Sequence, residues 1–236
     1  MRKRIRLLFA IIVGVTVLAG VNWVYQIYNN PVILFGMFSS GNYKSSNSTW
    51  KSYEHLFERH STPIMTKEYL AALAQAESAG NPIITPEWKF RFTTDFFKIY
   101  APASTSAGLY QYTKPTFKDA KRFCIHNHKV ALKGSILDLK SCWFNNFYSR
   151  LWPSHAIEMT SARLHYYVEK LLDNAGITNA SLSDKHKLAS IIHLCGTGRG
   201  KRFVASGFHF SSVPKCGSHS TKVYYNRINR IMRSYR

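Results

Sequence analysis

Glu77 ends the alanine-rich run TKEYLAALAQAESAG, residues 66–80. Leu70, Leu73, Ala74 and Glu77 fall at i, i+3, i+4 and i+7, so a helix through them sets the carboxylate on its apolar stripe rather than on the face toward water. Burial disfavours the ionised form and the negative end of the helix dipole adds to that, so both push the pKa above the usual glutamate value of about 4.3. A carboxyl group that keeps its proton near neutral pH can deliver it to a leaving oxygen. The plainer alternative is an exposed glutamate whose helical phase is displaced by one residue. A second group with chemical potential is Cys124, Cys142, Cys195 and Cys216. An even count implies two disulfides in an oxidising compartment, and three connectivities can be drawn. The pairing expected is Cys124–Cys142 and Cys195–Cys216. The alternative is a zinc site from His193, Cys195, Cys216 and His219, a ligand set the metal accepts; the disulfide reading is preferred and no metal is expected.

These groups need helices to position them, and the helix signals are clear. Thr66 stands as N-cap of the first, with Glu68 in its first turn and Gly80 past its end. KPTFKDAKRFC, residues 114–124, puts Pro115 in a first turn. SHAIEMTSARLHYYVEKLLDNAG, residues 154–176, carries an apolar stripe through Ile157, Ala162, Leu164, Tyr167, Val168, Leu171 and Leu172, closed by Gly176. DKHKLASIIHLCG, residues 184–196, is expected to begin at Ser183 or Asp184 and to end at Gly196. STKVYYNRINRIMRSYR, residues 220–236, spaces Arg227, Arg230, Arg233 and Arg236 by three along one basic side. Alternating strand patterns are scarce, and the aromatic block EWKFRFTTDFFKIYAP, residues 87–102, is the place for a small irregular or β element. The fold class expected is mainly α.

The chain has 236 residues, 45% of them hydrophobic, enough for one folded unit with a core. Its 32 Lys and Arg against 12 acidic residues give a formal charge of +20, which attracts polyanions: nucleic acid, anionic lipid or an acidic wall polymer. Arg2, Lys3, Arg4 and Arg6 precede an apolar run from Leu7 to Val21 that continues past Asn22 to Tyr25, close to the roughly 20 residues that span a bilayer. The basic prefix keeps the N-terminus cytoplasmic and sends the rest across. A retained anchor is preferred because Trp23, Tyr25 and Tyr28 suit a membrane interface. A signal peptide cleaved near Val17, Leu18 and Ala19 is the rival, and a buried core helix the third reading. The stretch SSGNYKSSNSTWKS, residues 39–52, is rich in Ser, Asn and Gly and reads as a tether. The division is thus an anchor or signal segment at 1–25, a tether at 26–61 and a folded domain at 62–236.

Glu77-Ser78, followed by Gly108-Leu109-Tyr110-Gln111 and a Thr-rich helix start, resembles the catalytic signature of the lytic transglycosylases of the SLT type, relatives of goose-type lysozyme. A third match is Thr221 and Tyr224, where the family often has a threonine and then a tyrosine facing the catalytic glutamate. The resemblance covers roughly residues 62 to 232 and implies a lysozyme-like helical domain after one N-terminal transmembrane helix. Two departures stand out. The segment between Glu77 and Gly108 is longer than usual by the aromatic block, in which Trp88, Phe90, Phe92, Phe96, Phe97 and Tyr100 could stack on sugars or pack as a mini-core, and Lys89, Arg91 and Lys98 could meet acidic groups of the polymer or form a solvated rim. The family's YNAG-like segment reads HLCG, residues 193–196, which puts His193 and Leu194 where a tyrosine and an asparagine are usual, while Gly196 and the loop Thr197 to Gly200 remain available.

The resemblance implies cleavage of the glycosidic bond between N-acetylmuramic acid and N-acetylglucosamine, without water, leaving a 1,6-anhydro end. Glu77 acts as acid and then base, Tyr224 orients it, and Ser78, Gly108, Leu109, Tyr110, Gln111, His193 and Gly196 hold the glycan. It implies no cofactor, a place in the inner membrane with the catalytic domain in the periplasm, peptidoglycan strands as partner, and service to general wall turnover or to a secretion or conjugation machine. Three rival readings stand beside it: a muramidase using water and a second carboxylate, Asp95 or Glu87; a non-catalytic wall-binding or secretion-assembly protein; and a basic membrane-tethered nucleic-acid binder, set below the others.

Overall fold

The computed structural model describes residues 2–36, 43–135, 138 and 140–235. Residues 37–42 of the expected tether, and Arg236 of the expected basic row, lie outside the described residues.

The chain is mainly helical, with three small antiparallel strand pairs among the described residues. Helix α1, Arg2–Asn29, is long and apolar enough to cross a membrane by length and composition. It is exposed along nearly its whole length, Asn22 being its buried residue, which removes the core-helix reading. A short α2, Ile33–Gly36, follows. The tether expectation is corrected in its second half: Ser46–Arg59 is a helix, α3, capped by Ser45 through the amide of Ser48. Thr49, Tyr53 and Phe57 of α3 are buried, so a serine-rich surface hides one apolar stripe at helical spacing.

Helix α4, Lys67–Ser78, is the centre of the molecule. Thr66 caps it through the amide of Tyr69, and Ala79 and Gly80, both at positive φ, turn the chain away. Leu70, Ala71, Ala72, Leu73 and Ala74 are all fully buried, so this helix is covered round most of its circumference rather than along one stripe. Alanine at three of these positions lets its neighbours approach closely. Those neighbours are α3; α7, Pro153–Asp173; and α10, Thr221–Arg233. Helix α8, Leu182–Cys195, packs on α7 and α10, and α9, Thr197–Ala205, packs on α7 and α8. The core joins Phe57, Leu73, Ile157, Ile192, Phe203 and Ile228 from six helices.

Three boundaries differ from expectation. The cap of α8 is Ser181, whose hydroxyl accepts from the amide of Asp184, two residues before the earliest expected start. The expected loop at 197–200 is the first turn of α9. The 114–124 helix stops early: α6 is Lys114–Ala120, with Pro115 in its first turn, and Phe123–His126 (β3) pairs with Lys129–Leu132 (β4) across Asn127 and His128, both left-handed. The aromatic block forms β1, Trp88–Phe90, paired with β2, Tyr100–Pro102, with a short α5, Phe96–Ile99, inside the connection. Lys215–Cys216 (β5) and His219–Ser220 (β6) make the last pair, leading directly into α10.

Both expected disulfides are formed, Cys124–Cys142 and Cys195–Cys216. The second consumes two of the four ligands of the zinc alternative, because a disulfide sulfur is no thiolate.

The turn at 107–112 is closed by reciprocal backbone bonds between Ala107 and Tyr112 and by Gly108 N–H donating to Ile84 O. Buried Arg150 donates to the carbonyls of Thr105 and Tyr112, each at 2.6 Å, and to Asn30 Oδ1 at 2.7 Å. Gly108 sits at φ +81°, and a Cβ there would lie 2.1 Å from Arg150 O. Gly108→Ala is therefore expected to lower stability by more than about 1 kcal/mol. Thermal unfolding reads this as a drop in Tm, and an unaltered Tm would show that the turn relaxes.

Candidate active site

Three helix ends converge on Glu77. It occupies the last turn of α4, His193 the last turn of α8, and Tyr224 the first turn of α10. The Cys195–Cys216 disulfide joins the end of α8 to β5, two residues after His193 and eight before Tyr224. Thr221, fully buried at the head of α10, donates its hydroxyl to Val213 O and so fixes where Tyr224 begins.

The Glu77 side chain is 15% exposed and that of His193 8%. Tyr224 donates its hydroxyl to Glu77 Oε1 in a short hydrogen bond, and His193 Nε2 lies 3.4 Å from the same oxygen. No described residue bonds to Oε2, which leaves that oxygen to meet a ligand. The helical phase read from the sequence thus holds, and the exposed-glutamate alternative does not.

The electrostatic expectation is corrected. Burial does raise the Glu77 pKa and is the largest single influence. Against it stand the close approach of His193, the hydrogen bond from Tyr224 and the charge of Arg227, and together they hold the carboxyl below its ordinary value. The resting site is therefore a stabilised carboxylate. Tyr224 shows the converse: burial, then the charge of Glu77, pushes its phenol well above the usual range, so it remains a donor.

Most of the expected glycan contacts are side chains already engaged within the fold. Ser78 is buried, and its hydroxyl donates to Ala74 O and Leu109 O, tying the end of α4 to the 107–112 turn. Leu109 and Tyr110 are fully buried, and Tyr110 donates to Leu70 O, so their side chains are core rather than groove. Gln111, at φ +48°, accepts from Ser106 and donates to Gly108 O, which commits its amide to bracing the turn. Gly196, at φ +82°, is the joint between α8 and α9. What the turn can offer a ligand is backbone, placed beside Glu77 through Ser78. Sequence reasoning missed the reach of Arg227, one turn of helix beyond Tyr224 and signalled only by that spacing.

Asp95 caps α5 through the amide of Phe97 and pairs with Lys98 at 2.8 Å, and Glu87 is exposed. Neither is among the groups that act on Glu77. Arg227, Arg230 and Arg233 lie on the exposed side of α10, opposite buried Tyr225, Ile228 and Met232.

No protein-family model, no curated protein and no solved structure matches this chain.

Tyr224→Phe removes one donor and keeps the ring, so the Glu77 carboxyl should titrate higher than in the native protein when followed by carbon-13 NMR. An unchanged or lower value would show that Tyr224 does not hold the anion. The stability consequence has a definite sign. A folded pKa below the unfolded value of about 4.3 gives a contribution that is complete above that pH and lost as pH falls through the folded pKa. The variant loses part of this contribution, so its melting temperature should depend less steeply on pH over the acid range.

Proposed function

We propose that this protein is a membrane-anchored peptidoglycan lytic transglycosylase with a lysozyme-like helical domain. The observation that carries the proposal is the nearly buried Glu77 carboxylate at the end of the central helix, with Tyr224 and His193 on Oε1 and Oε2 open. The residues that carry the family resemblance in the sequence, Glu77-Ser78, the 108–111 turn and Tyr224, are neighbours in space. The two disulfides suit an oxidising compartment such as the periplasm, and α1 suits a single-pass anchor in the inner membrane.

Cleavage on this reading runs in two proton transfers at one carboxyl. Glu77, protonated, gives its proton to the glycosidic oxygen as the bond from that oxygen to C1 of N-acetylmuramic acid breaks. The acetamido oxygen of the same sugar bonds to C1 and shares the positive charge. The 6-hydroxyl oxygen then displaces it at C1, its proton passes to the Glu77 carboxylate, and a 1,6-anhydro ring closes with no water consumed. The second half needs the resting state directly, because a stabilised carboxylate is the base. The first half needs a proton on Glu77, which the acid side of the pH range supplies. Of the carboxylates a water-using mechanism would recruit, Asp95 is paired with Lys98 and Glu87 is exposed, which favours the reading without water.

The test is digestion of purified sacculi by the full-length protein in detergent. Native protein should release 1,6-anhydromuropeptides, and Glu77→Gln should release none while melting at a similar temperature. Reducing-end products would mean hydrolysis, and no release by the native protein would mean a binding role. Because the free carboxyl is held below its usual pKa, kcat/KM should rise as pH falls from neutral toward the acid range. A profile that falls throughout would contradict Glu77 as the acid.

A further inference from the structure

We propose that the β1–β2 hairpin is a second membrane-embedded element, seated beside α1 in the leaflet on the side of the folded domain. The proposal rests on α1 being a retained span, and beyond that on the way the hairpin is docked. The C-terminal half of α1 and the hairpin are joined by specific contacts. Tyr25 stacks on Phe97 with ring centroids 3.9 Å apart, Asn22 Nδ2 donates to Tyr100 O at 2.7 Å, and Gln26 Nε2 donates to Phe97 O. Asn22 is the polar residue that interrupts the apolar run, and it is 7% exposed on a helix otherwise open to its surroundings.

The depth follows from helix geometry. A span from Leu7 to Val24 is about 27 Å long, close to the roughly 30 Å hydrocarbon core. A cavity of about 780 Å³ between α1 and the hairpin is lined by α1 residues from Val15 to Trp23 and, opposite them, by Trp88, Phe96, Ile99 and Tyr100. Val15 to Trp23 is about 12 Å of helix, so the hairpin faces the half of the span nearest the domain. A span held at this depth carries the hairpin into the same layer. The cavity, with Val15, Leu18 and Ala19 on one wall and aromatic rings on the other, has the chemistry of an acyl-chain site.

The exposed surface agrees. Phe92 is 98% exposed and Phe90 64%, packed edge to face on each other at 5.4 Å. Two phenylalanines projecting into water make little sense on an isolated soluble domain, and aromatic side chains beside basic ones are what an interfacial element presents. Lys89 is exposed next to Phe90, placed for lipid phosphates. Backbone polar groups in lipid must be paired. On the side toward α1 this holds: Tyr100 O and Phe97 O are met by α1, Ile99 O by Arg91 N–H, and Pro102 O by the Arg91 guanidinium, so the connection at 92–94 lies at the level of the headgroups. The occupant of this surface is therefore a phospholipid bilayer, and the hairpin fixes how the domain sits on it.

The experiment uses the full chain in phosphatidylethanolamine–phosphatidylglycerol vesicles. Flotation after an alkaline wash first reports whether α1 is inserted. Phe92→Trp is then compared with native protein in vesicles carrying lipids brominated near the headgroup end of the acyl chains. The expected result is a blue shift and quenching of the added tryptophan emission. In the same vesicles trypsin should cut slowly after Lys89, and Phe90→Ser combined with Phe92→Ser should restore cleavage. Flotation in which the added tryptophan stays unquenched and red-shifted overturns the hairpin proposal and leaves the anchor intact. Failure to float overturns both.

Discussion

A carboxylate that is taken out of water must be met by donors, and in this chain that requirement organises everything around residue 77. Glu77 can be nearly buried only because α8 and α10 end and begin where His193 and Tyr224 reach one of its oxygens. Those two helix ends are held in turn by the Cys195–Cys216 bond and by Thr221 gripping Val213 O. The alanine-rich α4 contributes by being thin: with Ala71, Ala72 and Ala74 fully enclosed, α3, α7 and α10 close around it, and the glutamate of its last turn is left only 15% exposed. Lose the donors and the interior would contain a bare charge, or a neutral acid of different chemistry.

The balance at Glu77 also shows why burial alone is a poor guide to protonation. Position on an apolar stripe fixes the desolvation, and that part was readable from the sequence. The donors arrive from His193 and Tyr224, far along the chain, and no local pattern announces them. Their combined effect exceeds the desolvation, so the site rests as an anion. For a reaction that uses one carboxyl as acid and then as base, the fold favours the second role.

The same division between local and distant information runs through the rest of the molecule. Thr66 as a cap, Pro115 in a first turn, the long α7 and both disulfide pairs were legible because each is a short-range signal. The β3–β4 hairpin was not, because its turn is Asn127-His128 instead of the Asn-Gly that advertises such a turn, and a tract of good helix formers runs into it. Helix α3 was hidden by composition: Ser45, Ser46, Asn47 and Ser48 look like linker, and only the spacing of Thr49, Tyr53 and Phe57 betrays a packed face. In the candidate site, the motif specifies a backbone path, and it is the fold that decides which side chains of Leu109, Tyr110 and Gln111 are buried or used to brace the turn.

Arg150 ties together parts of the chain that have no reason of their own to meet. One end of its guanidinium grips the carbonyls of Thr105 and Tyr112 at the 107–112 turn, and the other grips Asn30, the residue immediately after α1. One planar group thereby sets the position of Asn30, at the foot of α1, relative to the turn that Ser78 ties to the end of α4.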